Sequence, residues 1–412
     1  MPILSLFKST VLLLVFVVFL GGCGEHLKAK EAKDASSQIS NREPDTIVVA
    51  ANRIEAYLPL LQNQRVGIIA NQTSVVFHKT GHTHLVDSLL ALEIDIAKVF
   101  APEHGFRGKA DAGELVKDGT DTQTGLPIFS LYGKNKKPSQ EQLEGLDLVL
   151  FDIQDVGVRF YTYIATLQLV MEACAEKGIP VIVLDRPNPN GHYVDGPSME
   201  LEHTSFLGMT PIPLVYGMTI GEYAQLINGE KWLENGKEVD LTIIPLENYS
   251  HQSAYHLPIR PSPNLPNDTA ITLYPSLGLF EGTNVNAGRG TEFQFQRYGA
   301  SFLDSTQYDF NYVPKPNFGS KYPKEDGKKC FGKNLSKIGR MQVVNLEWLL
   351  DAYHNSIDKS EFFKTNSFTK HAGTELLQQQ ITAGKSASEI SAGWEKDLDE
   401  FKKIREKYLL YD

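Results

Sequence analysis

Asp147-Leu148-Val149-Leu150-Phe151-Asp152 holds no polar side chain between its two aspartates. A short, continuously apolar run reads as a strand buried on both faces, because a half-exposed strand alternates apolar with polar. Four other stretches repeat the pattern: Arg65 to Ala70, Ala97 to Ala101, Pro127 to Tyr132 and Pro180 to Asp185. Helical spacing runs over 85–92 and over 164–177, where Gly178 closes the second pattern. Apolar strands separated by helices imply a parallel sheet covered on both sides. The fold class is therefore α/β, a Rossmann-like doubly wound parallel sheet over residues 47–210. No G-x-G-x-x-G follows the first strand, so no nucleotide cofactor is implied.

The chain of 412 residues is too long for one small core. A long loop stretch over 186–215 marks a boundary. Residues 211–412 are read as a second, smaller α/β domain that completes a cleft. Thr219 caps a helix through Ile227, Leu241 to Pro245 is a strand, and Val343 to Tyr353 is a strand passing into a helix. A charged amphipathic helix over Ile390 to Tyr408 closes the chain. The proline-rich run from His256 to Ser276 is expected to be extended and to line a cleft.

At the other end, Lys8 precedes the apolar run Val11 to Leu20, too short to anchor across a bilayer and typical of a secretory signal. It ends in Leu20-Gly21-Gly22-Cys23, which resembles a bacterial lipobox. Residues 1–23 are therefore expected to be a lipoprotein signal peptide, with Cys23 the lipidated first residue of the mature chain. Gly24 and Glu25 carry no aspartate retention signal, so the expected place is the bacterial cell envelope, at the outer membrane facing the periplasm. Residues 24–46 read as a flexible tether of about 25 Å reach. The net charge of −10 argues against a nucleic-acid partner. Cys174 reads as a small buried hydrophobe and Cys330 as a loop residue, with no bridge expected. His82-Thr83-His84 is a weak metal signal and reads better as a helix start with exposed histidines; no metal is implied.

Ligands of open parallel sheets bind beyond the carboxyl ends of the strands. Here the second strand delivers Glu103, His104 and Arg107, and the third delivers Tyr132. The fourth releases Asp152, Gln154, Asp155, Arg159, Tyr161 and Tyr163, and the fifth Asp185 and Arg186, with Asn188 and Asn190 just beyond. Polar groups leaving four strands at one edge imply a site. A glutamate at the mouth of an apolar strand is partly desolvated, which favours its protonated form and suits a general acid. A second carboxylate, Asp152 or Asp155, would complete the pair that glycoside hydrolysis uses. The competing reading of Glu103 is a salt bridge to Arg107. Aromatic faces and the amides of Gln154, Asn188 and Asn190 suit a sugar. A glycine-rich loop presents Glu281, Asn284 and Arg289; Arg289 either binds an anion or pairs with Glu281. No G-x-S-x-G elbow supports a serine hydrolase.

Five stretches carry a family likeness: Glu103 to Gly108, Asp118 to Gly133, Phe151 to Tyr163, Leu184 to Gly191 and Phe280 to Thr291. Together with the closing run Lys396 to Tyr411, they resemble the NamZ-like exo-β-N-acetylmuramidases, glycoside hydrolase family 171. The likeness spans about residue 47 to 412. It implies a cofactor-free enzyme that removes terminal β-1,4-linked N-acetylmuramic acid from the non-reducing end of peptidoglycan fragments, in cell-wall turnover. It also implies a Rossmann-like domain with a smaller auxiliary one, and a catalytic glutamate at the position of Glu103. The muramic acid carboxylate gives a reason for Arg107, Arg159 or Arg289. The run Glu292-Phe293-Gln294-Phe295-Gln296 departs from the family's pattern, which leaves fine substrate preference open. The alternative from another class is a non-catalytic lipoprotein that binds muropeptides or glycans.

Overall fold

The computed structural model describes residues 46–108 and 118–412. The expected signal segment, Cys23 and nearly all of the expected tether lie outside the described residues. Among those described, no helix is long and apolar enough to cross a membrane.

The central sheet has seven strands: β1 (Val66–Ala70), β2 (Ile96–Ala101), β3 (Gly119–Thr120), β4 (Pro127–Ser130), β5 (Leu148–Asp152), β6 (Val181–Leu184) and β7 (Leu241–Ile244). Their order across the sheet is β7-β6-β5-β1-β2-β4-β3. Six are parallel, and β3 alone runs antiparallel, paired to β4 at the edge. Omitting β3, the parallel strands take the doubly wound order, with the topological switch between β1 and β5. Residue alternation fills two cores. Ile68, Ala70, Leu150, Ile182 and Leu184 face one side. Ile69, Val149, Phe151, Val181 and Val183 face the other, against helices α1 (Tyr163–Lys177) and α2 (Ile220–Gly229). Both faces are dry, which is why these strands read as unbroken apolar runs.

β7 extends this sheet, pairing Leu241 to Val181 through Ile244 to Leu184, so that strand belongs to the first architecture and not to a separate one. The remainder of the chain builds a smaller layer. The antiparallel strands β8 (Arg297–Ala300), β9 (Phe310–Tyr312) and β10 (Cys330–Asn334) lie in the order β8-β10-β9. Helices α3 (Asp268–Leu277) and α4 (Thr365–Ala372) pack beside them. Phe280, Tyr298 and Phe368 of this layer join the same apolar cluster as the α1 face of the sheet. Residues Thr46–Asp412 form one compact unit.

Several local expectations need correcting. Val343 to Leu346 is not a strand: Val343 is exposed and Val344 N–H bonds the Asp195 carboxylate at 2.6 Å instead of a neighbouring strand. The terminal helix is broken near Gly393 into Ala387–Ala392 and Glu395–Arg405. His82–His84 is a short strand and half-buried His84 bonds Asn71 O at 2.9 Å, although His84 does start a helix as expected, capping Leu85–Ala91 by accepting from Val86 N–H. Cys330 opens β10 and is buried, as is Cys174; both are unbridged thiols.

Candidate functional site

A pocket of about 600 Å³ opens at the carboxyl edge of the sheet, within the size range of small-ligand sites. Its first wall is the turn after β2. His104 and Gly105 both take left-handed backbone, with φ of 71° and 78°, so the chain reverses immediately after Glu103 and leaves that carboxylate at the pocket lining. A non-glycine residue in this region costs energy, so the surrounding contacts must hold it there. His104 is buried, its Nε2 3.2 Å from Ser262 Oγ, which ties the turn to the proline-rich segment. The Thr162 hydroxyl donates to Glu103 Oε2 at 3.3 Å, and the Tyr163 hydroxyl to Glu103 O at 3.4 Å. Tyr132, at the end of β4, also lines the pocket; burial and then the Glu103 charge push its phenol up.

An aromatic wall faces this turn. Phe160 and Tyr274 meet edge to face at 5.1 Å, and Tyr161 meets Tyr163 at 4.8 Å. The Tyr161 hydroxyl donates to Pro261 O at 2.7 Å. Phe160, Tyr161 and Tyr163 are almost fully buried in the core, and half-buried Tyr274 is the most open ring of this wall, an apolar surface of the kind a sugar packs against.

The far wall comes from the smaller layer. Glu281 accepts from Arg289 Nε at 3.2 Å. Burial pushes the Glu281 carboxyl up, but Arg289, Lys324 and His371 outweigh it and hold it at about 2. The pocket therefore contains, beside Glu103, a carboxylate whose charged form its cationic neighbours favour. Lys370 and His371, from the last turn of α4, belong to this wall, and Lys136 and Phe206 also line the cavity.

The structure thus brings Glu103, His104, Tyr132, Tyr163, Glu281 and Arg289 around one cavity. The remaining expected site residues do not line it. Asp152 is fully buried in a two-pronged ion pair with Arg186, at 2.5 and 2.8 Å. Asp155 is also buried; it accepts from the Tyr216 hydroxyl and from Gly157 N–H, and burial pushes its carboxyl up to about 6 despite those bonds. Gln154 donates to the Asp155 and Pro187 carbonyls. Asp185 is buried and accepts from Thr219, Gly221 and Tyr411, anchoring the start of α2. Asn188 donates to Met218 O, and Asn284 to Glu361 O.

The two arginines have other duties. Arg107 is clamped by Asp87 and Asp121, at 3.0 and 2.8 Å, and not by Glu103. Arg159 is buried and donates to the carbonyls of Pro197, Ile212, His371 and Ala372. The reason for these departures is the switch point itself. Gln154 N–H bonds Thr73 Oγ1 at 3.0 Å, the Ser74 hydroxyl donates to Asp152 O, and the Asp152–Arg186 pair sits beside them. These groups plug the crevice between β1 and β5, and the pocket opens beside the exits of β2 and β4.

Residues 66–269 match the family model described as Exo-beta-N-acetylmuramidase NamZ, N-terminal, and residues 272–411 match its C-terminal counterpart. A curated relative, the peptidoglycan beta-N-acetylmuramidase NamZ of Bacillus subtilis (strain 168), is 38% identical over 404 residues, covering 93% of this chain and 96% of its own. Two solved structures of DUF1343 family proteins from Bacteroides fragilis NCTC 9343 are similar. The first is 44% identical with a TM-score of 0.82, covering 89% of this chain and 99% of its own. The second is 26% identical with a TM-score of 0.75 and the same coverage.

Proposed function

The chain belongs to the NamZ exo-β-N-acetylmuramidase family, and from that premise we propose the reaction and the residues that carry it. The protein is a glycoside hydrolase that releases terminal β-1,4-linked N-acetylmuramic acid from the non-reducing end of peptidoglycan fragments, in cell-wall turnover. Glu103 is the general acid that protonates the leaving oxygen. The observation that carries this role is its place: a carboxylate held at the pocket lining by a strained turn and facing an aromatic wall. Glu281 takes the part expected of Asp152 or Asp155. At about 2 its carboxyl is a poor proton acceptor, so it acts as a fixed charge. That charge stabilises the positive character of the oxocarbenium-like transition state or orients the substrate's own acetamido group.

The test uses a chromogenic β-N-acetylmuramide. Glu103→Gln should lower kcat by about 10²- to 10⁴-fold. Wild-type turnover in that variant would remove Glu103 from the acid role. A non-catalytic glycan binder would release no sugar from the wild type at all.

The envelope address rests on Cys23 and the run before it. Lipidation there, with the polar tether beyond it, would hold the enzyme beside its polymer at the outer membrane. Metabolic labelling with a fatty-acid alkyne should mark the wild type and not Cys23→Ser; equal labelling of both would refute it.

A further inference from the structure

Most charges around the pocket are neutralised within the protein. Glu281 and Arg289 pair at 3.2 Å. Arg107 is committed to Asp87 and Asp121, and Arg159 to main-chain carbonyls. Lys324, behind the wall, donates to Phe280 O and Glu281 O. Two cations remain, Lys136 and Lys370. Both line the cavity, and among the described residues neither takes part in an ion pair.

They arrive from distant parts of the chain. Lys136 leaves the loop after β4 and is half-buried, its Nζ 4.2 Å from the centroid of Phe206, itself a lining residue. A ring face orients an ammonium without cancelling its full charge, so the group keeps its capacity for an anion. Lys370 is exposed on the last turn of α4, whose final carbonyls Arg159 holds in place. With the Glu281 charge already met by Arg289, the two lysines are the lining cations left to meet a substrate anion.

This inference rests on muramic acid being the bound sugar. We propose that Lys136 and Lys370 bind the lactyl carboxylate of N-acetylmuramic acid and set the preference for a free acid at that position. Of the three arginines that the sequence offered for this task, Arg107 and Arg159 are engaged away from the cavity, and Arg289, which lines it, is paired with Glu281. Ammonium groups are compact point charges and need no planar fork, so two of them can bracket one carboxylate.

The experiment compares two substrates with the same aryl leaving group: the β-N-acetylmuramide with its free lactyl acid, and the same compound with that acid converted to an amide. The wild type should prefer the acid. Lys136→Met and Lys370→Met, which keep side-chain length and remove charge, should each cut the acid-over-amide ratio of kcat/KM by about tenfold, mainly through KM, and together by about 100-fold. Raising the salt concentration should erode the wild-type ratio in the same direction. Near-UV circular dichroism verifies folding. Lys370 is exposed, so its single variant keeps the test alive should the Lys136 change disturb the loop. A double variant that keeps the wild-type ratio within threefold, or a wild type with no preference, overturns the assignment. A wild type that releases no muramic acid from either substrate instead overturns the reaction itself.

Discussion

At the residue scale, Asp155, one of the two carboxylates expected beside Glu103, and Glu281, the one that lines the pocket with it, answer to different physics. Asp155 sits behind the aromatic wall, where burial lifts its carboxyl from 3.8 to about 6. A carboxyl whose folded value lies above its unfolded one binds more protons folded than unfolded between the two. Its contribution to stability is complete below about pH 4 and is lost as the pH rises through 6. Glu281 has the opposite sign: held at about 2, it contributes above about 4.5 and loses that contribution as the pH falls. Asp155→Asn keeps an acceptor for Tyr216 and Gly157 and cannot ionise. Its thermal midpoint, relative to the wild type, should therefore rise between pH 4 and pH 7 by the equivalent of about 1–3 kcal/mol. A difference that stays flat with pH would show that Asp155 is not strained by its charge. Glu103 and Glu281 were legible because each stands at the end of an apolar run, in a motif with flanking glycines. That Asp152 and Asp155 point into the core was not legible, since the same residue types leave the same strand end whether the crevice above is open or plugged.

At the scale of elements, the central strands could be read directly because both faces are apolar. β3 could not, as two exposed residues carry no period. The strand β7 was visible, but its sheet was not, because the pairing partner β6 lies 60 residues earlier (241 minus 181). The helix α4 was missed as a source of site residues. Its Lys370 and His371 look like ordinary basic residues that complement a helix C-terminus. Arg159 supplies the link that sequence cannot show: one buried guanidinium joins the exit of β5 to the last carbonyls of α4. Burial brings it down only to about 9, so it stays charged at neutral pH. Packing is equally tight at the other end of α4, where a Cβ on Gly282 would lie 2.4 Å from Phe368 Cα. Arg159→Lys keeps the charge but cannot reach four carbonyls with one ammonium. It should cost about 2–3 kcal/mol of stability. Because α4 carries pocket residues, it should also raise KM for the muramide more than it lowers kcat. A purely structural arginine would lower the unfolding midpoint and leave KM where it was, which steady-state kinetics on the folded variant decides.

At the scale of the whole molecule, the two family models meet between residues 269 and 272, inside helix α3. The pocket draws Glu103 and the β5 exit from one side of that boundary, and Tyr274, Glu281, Arg289 and Lys370 from the other. Neither part has the site alone. One apolar cluster also runs from Ile69 to Phe401, so no dry seam divides the chain into independently stable halves. The last residues bind the two parts further. Leu410 N–H donates to Glu222 Oε1 at 2.8 Å, the Tyr411 hydroxyl to Asp185 Oδ2 at 2.6 Å, and His251 N–H to Asp412 O at 2.8 Å. Asp185 and Glu222 are both fully buried; without these donors Asp185 keeps Thr219 and Gly221 and Glu222 keeps Thr219 and His251, but each loses one charge-assisted bond. Deleting Leu410 to Asp412 should therefore cost about 3–5 kcal/mol, far more than trimming three terminal residues ordinarily does. Burial already lifts Asp185 to about 7 against the pull of Tyr411, so losing that hydroxyl pushes it higher. The deficit should consequently widen as the pH rises from 6 to 8, where the wild type has one more donor for the ionised form than the shortened chain. Scanning calorimetry should give one transition for the full chain and one, at a lower midpoint, for the shortened chain. Two separated transitions in either would mean that the sheet and the smaller layer fold apart, and that the pocket is a joint between independent bodies.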